Sequence, residues 1–558
     1  MRPAHSQPRP LSALSARLGV RLATAGNAII PNELGCVCGV TLDSRSVQPG
    51  DLYVALPGAR VHGAAFCADA VAAGAVAVLT DPDGRGRAIA SGVPVFVVAD
   101  PRARLGEVAC WVYGDPSRRL RLIGVTGTSG KTTSTYLIEA GLRAGGHLTG
   151  LIGGVQTRIG RDRIASSLTT PEAPDLQALF AVMAERGVSA AAMEVSSHSL
   201  SLGRVAGTAF DVAVFTNLSQ DHLDFHGDLE EYFRAKASLF APPERGGRGG
   251  LGGKASPQER EGFGGGRPPR VSAAMGVVNV DDKYGRRLAS SAPVPVTTFS
   301  AAGRADADWR ATDVRSGADG STFRVIGPGG VEADVSVGLA GVFNVANALG
   351  ALVALVEAGV ALDDAVSGLA ACPGVPGRLE RVPGSGLEVT AFVDYSHKPG
   401  AVEAVLRSLR PVTQGNLIIV LGCGGDRDRA KRPMMGAAAA KLADVAILTS
   451  DNPRSEDPLA ILAAMLDGVL SVPQEERARV IIEPDRAAAI AQAVALSAGG
   501  DVIVVAGKGH ETGQYLAGSV LPFDDRKVTA AALARQAQNQ LAQNQLAQNQ
   551  LQASAVEL

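Results

Sequence analysis

The run Leu120-Arg-Leu-Ile-Gly-Val125, followed by Gly127-Thr128-Ser129-Gly130-Lys131-Thr132-Thr133, constrains this chain more than any other feature. An apolar strand passes directly into a glycine-rich turn, and a helix begins near Lys131. Glycines there let backbone N–H groups converge on phosphate oxygens, and the helix N-terminus adds partial positive charge. In such a loop Lys131 bridges the β- and γ-phosphates and the Thr132 hydroxyl reaches Mg2+. The run departs from the usual G-x-x-x-x-G-K-[ST] pattern, because Val125 stands where the first glycine belongs. A chance Gly-rich turn would not sit between a strand and a helix. Nucleotide binding is the implication; the reaction stays open.

At 558 residues the chain is long enough for three or four domains. Hydrophobic residues are 46% and charged residues 19%, a globular balance. The net charge of −2 gives no basic field, which argues against nucleic acid or an anionic membrane as partner. Cys36-Val-Cys38 has the wrong spacing for a zinc half-site, so the six cysteines read as reduced thiols of a cytosolic protein. Residues Met1 to Pro10 carry Pro, His and Arg rather than a signal core, and Arg17 and Arg21 interrupt the stretch after them. The longest apolar stretch, Phe343 to Leu362, contains Asn344, Asn347 and Glu357 and reads as one packed helix, not a membrane span. A soluble, cytoplasmic, monomeric protein is expected.

The expected fold class is α/β. Short apolar strands alternate with Ala-rich helical stretches over residues 40–100, and Asp115-Pro-Ser-Arg118 reads as a connector. Alternation then continues to about residue 371, and a further α/β unit begins near Cys372, with strands Asn416–Leu421, Val445–Leu448 and Val502–Val505. The expected domains are 1–118, 119–371 and 372–535. Residues 241–270 hold ten Gly and five Pro, with Arg and Glu interspersed, and read as a disordered insertion rather than an RNA contact. Residues 536–558 repeat Gln-Leu-Ala-Gln-Asn; their leucines, five apart, rotate by about 140° per step and form no single face. That tail reads as frayed or weakly helical.

Two further segments bear chemistry. Glu194 closes the apolar run Ala190–Met193 and begins Glu194-Val-Ser196-Ser-His198. A carboxylate at a strand's carboxyl end, beside a phosphate loop, is where a Mg2+ ligand is needed. Asp221-His222-Leu-Asp224-Phe-His226 comes after another strand, Asp211 to Phe215. A zinc site from these histidines is the alternative, weakened by the absence of HExxH spacing; taken singly, His198 and His226 read as structural.

The shortened loop Gly-Thr-x-Gly-Lys-Thr-Thr, with Glu194 and His222 in this order, resembles the Mur ligase family of ATP-dependent amide-forming enzymes. The resemblance covers roughly residues 35–530 apart from the insertion. It implies a uridine-nucleotide-binding N-terminal domain, a central P-loop ATPase-like domain and a Rossmann-like C-terminal domain. It also implies that Thr132, Glu194, His222 and Lys236 hold Mg2+, with Lys236 of Tyr232-Phe-Arg-Ala-Lys236 carbamoylated. From the residues alone Lys236 would read as a snorkelling surface lysine. Lys131, Lys236 and His222 become the catalytic candidates. Asn344, Arg378 and Asp394, in Gly341-Val-Phe-Asn344, Pro376-Gly-Arg378 and Asp394-Tyr-Ser-His397, match adenine and phosphate contacts.

Within that family, Leu42-Asp43-Ser44-Arg45 resembles the uridine-nucleotide module of the enzymes that add the third residue to a muramoyl peptide. Thr169, Thr170, Ser196 and Arg204 match positions contacting UDP-MurNAc-L-Ala-D-Glu, although Leu202 stands where the family often has Gln. Locally, Thr-Thr-Pro-Glu172 is equally a helix start with Pro at its first position. Asp451-Asn452-Pro-Arg454 resembles the meso-diaminopimelate-adding type, whose second carboxylate suits a guanidinium fork. Arg427 for a carboxylate, and Gly507 and Glu511 around an ammonium, complete the implied pocket. A lysine-adding relative, a folylpolyglutamate-type ligase and a non-catalytic nucleotide-binding scaffold are the alternatives; the scaffold should have lost Glu194, His222 or Lys236, and all three are present.

Overall fold

The computed structural model describes residues 1–23, 35–166, 168–242, 271–384 and 386–556, with side chains as far as Gln550. Nearly all of the expected insertion, residues 243–270, therefore lies outside the described residues. The described chain forms two compact units: Met1–Arg310 with Val325–Glu332 and Asn347–Leu369, and Ala311–Arg324 with Ala333–Ala346 and Ala370–Leu558.

Besides a two-stranded pairing of Arg9–Pro10 with Cys36–Val37, the described residues of the first unit form two larger sheets. In the smaller one, β1 (Gly39–Thr41), β2 (Asp51–Ala55), β3 (Ala77–Thr80) and β4 (Val95–Val97) lie parallel in sequential order. Every residue of β2 and β3 is buried, which is why these strands read as near-continuous apolar runs rather than alternating ones. The helix α1 (Pro101–Tyr113) comes next; the Asp100 carboxylate caps it by accepting from Ala103 N at 3.0 Å, and Gly114 at φ 75° ends it.

In the larger sheet, β5 (Arg121–Thr126) precedes α2 (Lys131–Ala144) and β6 (Thr149–Ile152). Then come α3 (Ala173–Glu185), β7 (Ala190–Glu194), β8 (Ala209–Phe215), α4 (Leu229–Ala237), β9 (Ser272–Asn279) and β10 (Val296–Ser300). These strands run parallel in the order β6-β7-β5-β8-β9-β10. Leu122, Ile123 and Val125 of β5 are wholly buried, and each such side chain contributes about 1.5–3 kcal/mol. Because β5 lies between β7 and β8 in parallel, the loops leaving all three emerge on one side. The small sheet packs on this one through α1 and α3: Leu105, Val108 and Val112 share a core with Ala173, Ala178 and Ala181.

The second unit carries β11 (Glu380–Val382), β12 (Thr390–Asp394), β13 (Leu417–Leu421), α5 (Lys431–Leu442), β14 (Val445–Leu448), α6 (Pro458–Leu470), β15 (Arg479–Ile482), α7 (Arg486–Leu496), β16 (Val502–Ala506) and α8 (Asp525–Val556). The sheet order is β11-β12-β16-β13-β14-β15, with only β11 antiparallel. Arg486 of α7 and Asp525 of α8, both fully buried, pair bidentately at 2.8 and 2.7 Å, and the same guanidinium reaches the Ala506 carbonyl at 3.0 Å.

Two expectations need correction. The stretch Phe343 to Leu362 is not one helix: it ends at Glu357, Gly359 turns the chain at φ 84°, and a second helix occupies Leu362–Ala370. The tail takes the helical of its two readings and is not separate at residue 536, because α8 runs without a break to Val556. Leu, Ala and Gln are strong helix formers, and no Gly or Pro interrupts them. Packing ends earlier: Leu533 and Ala537 are buried, whereas Leu541 and Leu546 are 64% and 62% exposed. Truncation after Gln540 should therefore move the thermal midpoint by less than about 2 °C, within the range of an exposed-surface change. A drop several times larger in a thermal melt would show that the distal helix packs.

Candidate functional site

Gly127 and Gly130 sit at φ 147° and 89°, a backbone region that side-chain-bearing residues rarely adopt. A Cβ on Gly127 would lie 1.9 Å from Thr216 Oγ1, and one on Gly130 2.3 Å from Asn347 Oδ1. The loop is stapled from the end of β8: Thr128 N donates to Asn217 O at 2.9 Å, Ser129 N to Asn217 Oδ1 at 3.0 Å, and Thr216 Oγ1 to Ser129 O at 2.6 Å. Lys131 folds back so that Nζ donates to Gly127 O and Thr128 O at 2.9 and 3.0 Å. Thr132 and Thr133 are buried in the first turn of α2.

Glu194, at the end of β7, is 3% exposed. Its Oε2 accepts from Thr132 Oγ1 at 3.1 Å and its Oε1 from Gly154 N at 3.0 Å. This is an oxygen pair of the hard type that Mg2+ takes, with phosphate oxygens and water completing the shell. Lys236 of α4 is 1% exposed; its Nζ donates to Gly127 O at 2.8 Å and stands 4.4 Å from the Tyr232 ring centre. Burial pushes the Tyr232 phenol up, so it stays a neutral partner for the Thr128 hydroxyl at 3.2 Å. Two ammonium groups, from α2 and α4, thus converge on the one Gly127 carbonyl.

His222 holds φ 54°, a strained seat for a non-glycine residue. Its Nε2 stands 3.0 Å from Asp221 Oδ2, and its ring lies 4.7 Å from that of His198. Burial lowers both His198 and His226 below the usual imidazole value, which favours neutral rings in this aromatic cluster with Phe225 and Tyr232. Among the described residues no group of three or more His, Cys, Asp or Glu side chains is placed to hold a metal ion.

Thr170 bridges the same edge: its hydroxyl donates to Glu194 O at 2.8 Å and accepts from Ser196 N at 3.2 Å. Ser196 caps the next helix by accepting from Ser199 N. Arg204 pairs with Glu172 at 2.9 Å and lies 3.5 Å from Thr170 O, while Thr169 is half-buried beside Gly154. Leu42 and Ser44 sit in the loop after β1, where Asp43 grips Arg45 through two 2.9 Å bonds.

In the second unit, Asn344 is buried and donates to Ala340 O at 2.7 Å. The Arg378 guanidinium lies 4.4 Å over Tyr395. Asp394 clamps the turn around it, with Oδ2 accepting from Leu379 N at 2.7 Å and Oδ1 from Ser396 N and the Ser396 hydroxyl. Burial pushes His397 down to about 3, so it is neutral at physiological pH. The loops after β13, β14 and β16 gather Arg427, Asp451, Asn452, Arg454, Gly507 and Glu511. A Cβ on Gly424 would stand 3.0 Å from Arg454 Nη1 and 3.8 Å from Arg427 Cγ. Arg454 holds φ 56°, and its Nη1 donates to Gly425 O at 2.6 Å. Asn452 Nδ2 donates to Glu511 Oε2 at 2.8 Å, and Gly507 is so close to Asp451 that an added Cβ would stand 2.4 Å from Oδ2. Burial raises the Asp451 carboxyl. Asn217 and Lys508 were missed from the sequence, because nothing in the letters distinguishes a loop staple or a buried ammonium.

Three family profiles match the chain: "Mur ligase family, catalytic domain" over residues 37–113, "Mur ligase middle domain" over 125–249 and 270–355, and "Mur ligase, glutamate ligase domain" over 377–509. The chain is 57% identical, over 95% of its length and 98% of the relative's, to a Streptomyces avermitilis protein named UDP-N-acetylmuramoyl-L-alanyl-D-glutamate--2,6-diaminopimelate ligase. It is 56% identical to the like-named Streptomyces coelicolor protein, covering 96% and 98% of the two chains. A solved structure of a ligase with that name is 32% identical and superposes with a TM-score of 0.62, covering 91% of this chain and 97% of the other.

Gly130→Ala should lower the unfolding free energy by more than about 1 kcal/mol in a denaturant titration, since Ala cannot hold that φ without strain. Gly86→Ala, in open space within a helix, is the control and should not destabilise the chain. Equal behaviour of the two variants would contradict the loop geometry.

Proposed function

Because the chain belongs to the Mur ligase family, we propose that it joins meso-2,6-diaminopimelate to UDP-MurNAc-L-Ala-D-Glu with cleavage of ATP. The observation that carries this reading is the convergence of Lys131 and Lys236 on Gly127 O, beside the Thr132–Glu194 oxygen pair. Two cations sharing one carbonyl at a helix N-terminus form an arrangement that an anion relieves. The loop residues Gly127 to Thr133 cradle the phosphates of ATP. Asn344, Arg378 and Asp394 serve the adenine and phosphate ends.

Thr132, Glu194, His222 and carbamoylated Lys236 would hold Mg2+, which supplies charge neutralisation at the γ-phosphate. A carbamate on the buried Lys236 nitrogen would turn one of the two cations at Gly127 into the anion that Mg2+ needs. The D-Glu γ-carboxylate attacks the γ-phosphorus, ADP leaves, and an acyl phosphate forms. The neutral amine of diaminopimelate then attacks the acyl carbon, and inorganic phosphate departs as the amide forms. Lys131 stays with the transferring phosphoryl group, so catalysis is positioning and charge neutralisation.

Leu42 and Ser44, in residues 1–118, take the uridine nucleotide; Thr169, Thr170, Ser196 and Arg204 take the muramoyl dipeptide within 119–371. Residues 372–535 take the amino acid: Arg427 and Arg454 grip the distal carboxylate, Glu511 an ammonium, and Asp451, Asn452 and Gly507 shape the pocket. Among the described residues no helix is long and apolar enough to cross a membrane, and the reading is of a cytoplasmic monomer in peptidoglycan precursor synthesis.

Lys236→Ala should nearly abolish ADP release in a coupled assay, and added short carboxylates should restore part of it by standing in for the carbamate. Full activity of the alanine variant would remove Lys236 from the mechanism. Arg454→Ala should cut kcat/KM for diaminopimelate by at least about tenfold, the size of one lost charge-assisted hydrogen bond, with KM for ATP little changed. Arg454→Lys should rescue poorly, because a point charge cannot reproduce a bidentate fork. Wild-type preference for L-lysine over diaminopimelate would overturn the substrate assignment.

A further inference from the structure

The first unit holds Lys236 on a loop carbonyl; the second holds a lysine in a different setting. Lys508 lies just past β16 and is 0% exposed. Its Nζ spends its donors on three oxygens: Gly513 O at 2.7 Å, Asn452 Oδ1 at 2.9 Å and Glu511 Oε2 at 3.3 Å. We infer that Lys508 is a positioning residue for the amino-acid subsite, fixing the amide of Asn452 and the carboxylate of Glu511 in the orientations that receive the incoming amino acid. This rests on the proposed reading of that edge as the diaminopimelate pocket.

The geometry leaves Asn452 one orientation. Its Oδ1 accepts from both the Lys508 ammonium and Tyr515 N, at 2.9 and 3.1 Å, so its NH2 must face Glu511, where Nδ2 donates to Oε2 at 2.8 Å. A flipped amide would turn NH2 against an ammonium that has no acceptor capacity. Glu511 is fixed by the same pair: both bonds land on Oε2, which leaves Oε1 as the acceptor for a substrate ammonium. The third bond ties the two-stranded ribbon Gly513–Leu516 and Ser519–Pro522 to the pocket. That ribbon in turn holds the Arg454 backbone, through Arg454 N to Tyr515 O at 2.9 Å and Ala517 N to Arg454 O at 2.8 Å, and Asp451 O through Gln514 Nε2 at 2.9 Å. One buried ammonium therefore joins the segment that carries Asn452 and Arg454, its own loop with Glu511, and the ribbon, without standing among the groups that touch the substrate.

The test compares steady-state constants of the full chain and its Lys508→Met variant, which keeps length and burial but removes all three donors. KM for diaminopimelate should rise by at least about tenfold, as for loss of a hydrogen bond to a charged group, while KM for ATP and for UDP-MurNAc-L-Ala-D-Glu stay within about twofold. In a Glu511→Gln background the same substitution should raise KM by less than about threefold, because both act through one carboxylate. A folded variant whose kcat falls with all three KM values unchanged, or whose effect is the same in both backgrounds, would overturn the inference. If Lys508→Met does not fold, Lys508→Gln reads the same split; failure of both to fold would also overturn it, in favour of a purely structural lysine. A wild type that turns over L-lysine but not diaminopimelate would defeat the substrate reading alone, and the comparison would then be made with lysine.

Discussion

A positive charge removed from water must be met by oxygen, and the functional edges of this chain are built around that requirement. Lys236 meets Gly127 O, Lys508 meets Gly513 O with Asn452 and Glu511, and Arg486 meets Asp525 and Ala506 O. In each case a backbone carbonyl is part of the answer, and Gly127 and Ala506 lie at or just past the carboxyl end of a parallel strand. Last-strand carbonyls there lose their ladder partners, so they are free to hold cations.

The parallel topology explains why these groups share an edge. Helical crossovers return the chain to the amino end of each new strand, so all carboxyl ends point one way and their loops lie side by side. In the first unit Thr132, after β5, meets Glu194 at the end of β7, and Asn217, after β8, holds the Thr128 and Ser129 backbone, although these residues are distant in sequence. In the second, the loops after β13, β14 and β16 gather Arg427, Arg454 and Glu511. The strand interiors are buried on both faces and carry no polar chemistry themselves. That division leaves it to the strand ends, where Glu194 and Asp394 sit, and to the loops and helices beyond them.

The same division decides how much of the molecule is legible in its sequence. The strand–glycine–lysine run gives away β5 and α2 because apolar strand, glycine and helix start are adjacent letters. Domain class is legible for the same reason: parallel strands are continuous apolar runs. Lys236 is not, because a helix lysine with aromatic neighbours has the same letters whether it snorkels or is buried; resemblance alone separates the cases. Lys508 and Asn217 act through partners 56 residues away and 88 residues away, a relation no local window contains. The tail departs from expectation for a different reason: the absence of an apolar face argues against packing, not against a helix, and Gln, Leu and Ala propensity is enough to continue α8 once Leu533 and Ala537 have anchored it.

Arg454 joins a functional side chain to an unusual backbone seat, at φ 56° and bonded to the ribbon on both its N–H and its carbonyl. Only Gly, and to a lesser degree Asn and Asp, occupy that basin readily, and β-branched residues scarcely at all. Variation at this position is therefore filtered twice, once by what the side chain grips and once by what the main chain tolerates. A library built to redirect the pocket toward another amino acid would recover Asn and Gly at 454 for conformational reasons unrelated to selectivity. Changes at Arg427, on a more exposed and less constrained stretch of the neighbouring loop, would report the substrate preference more cleanly.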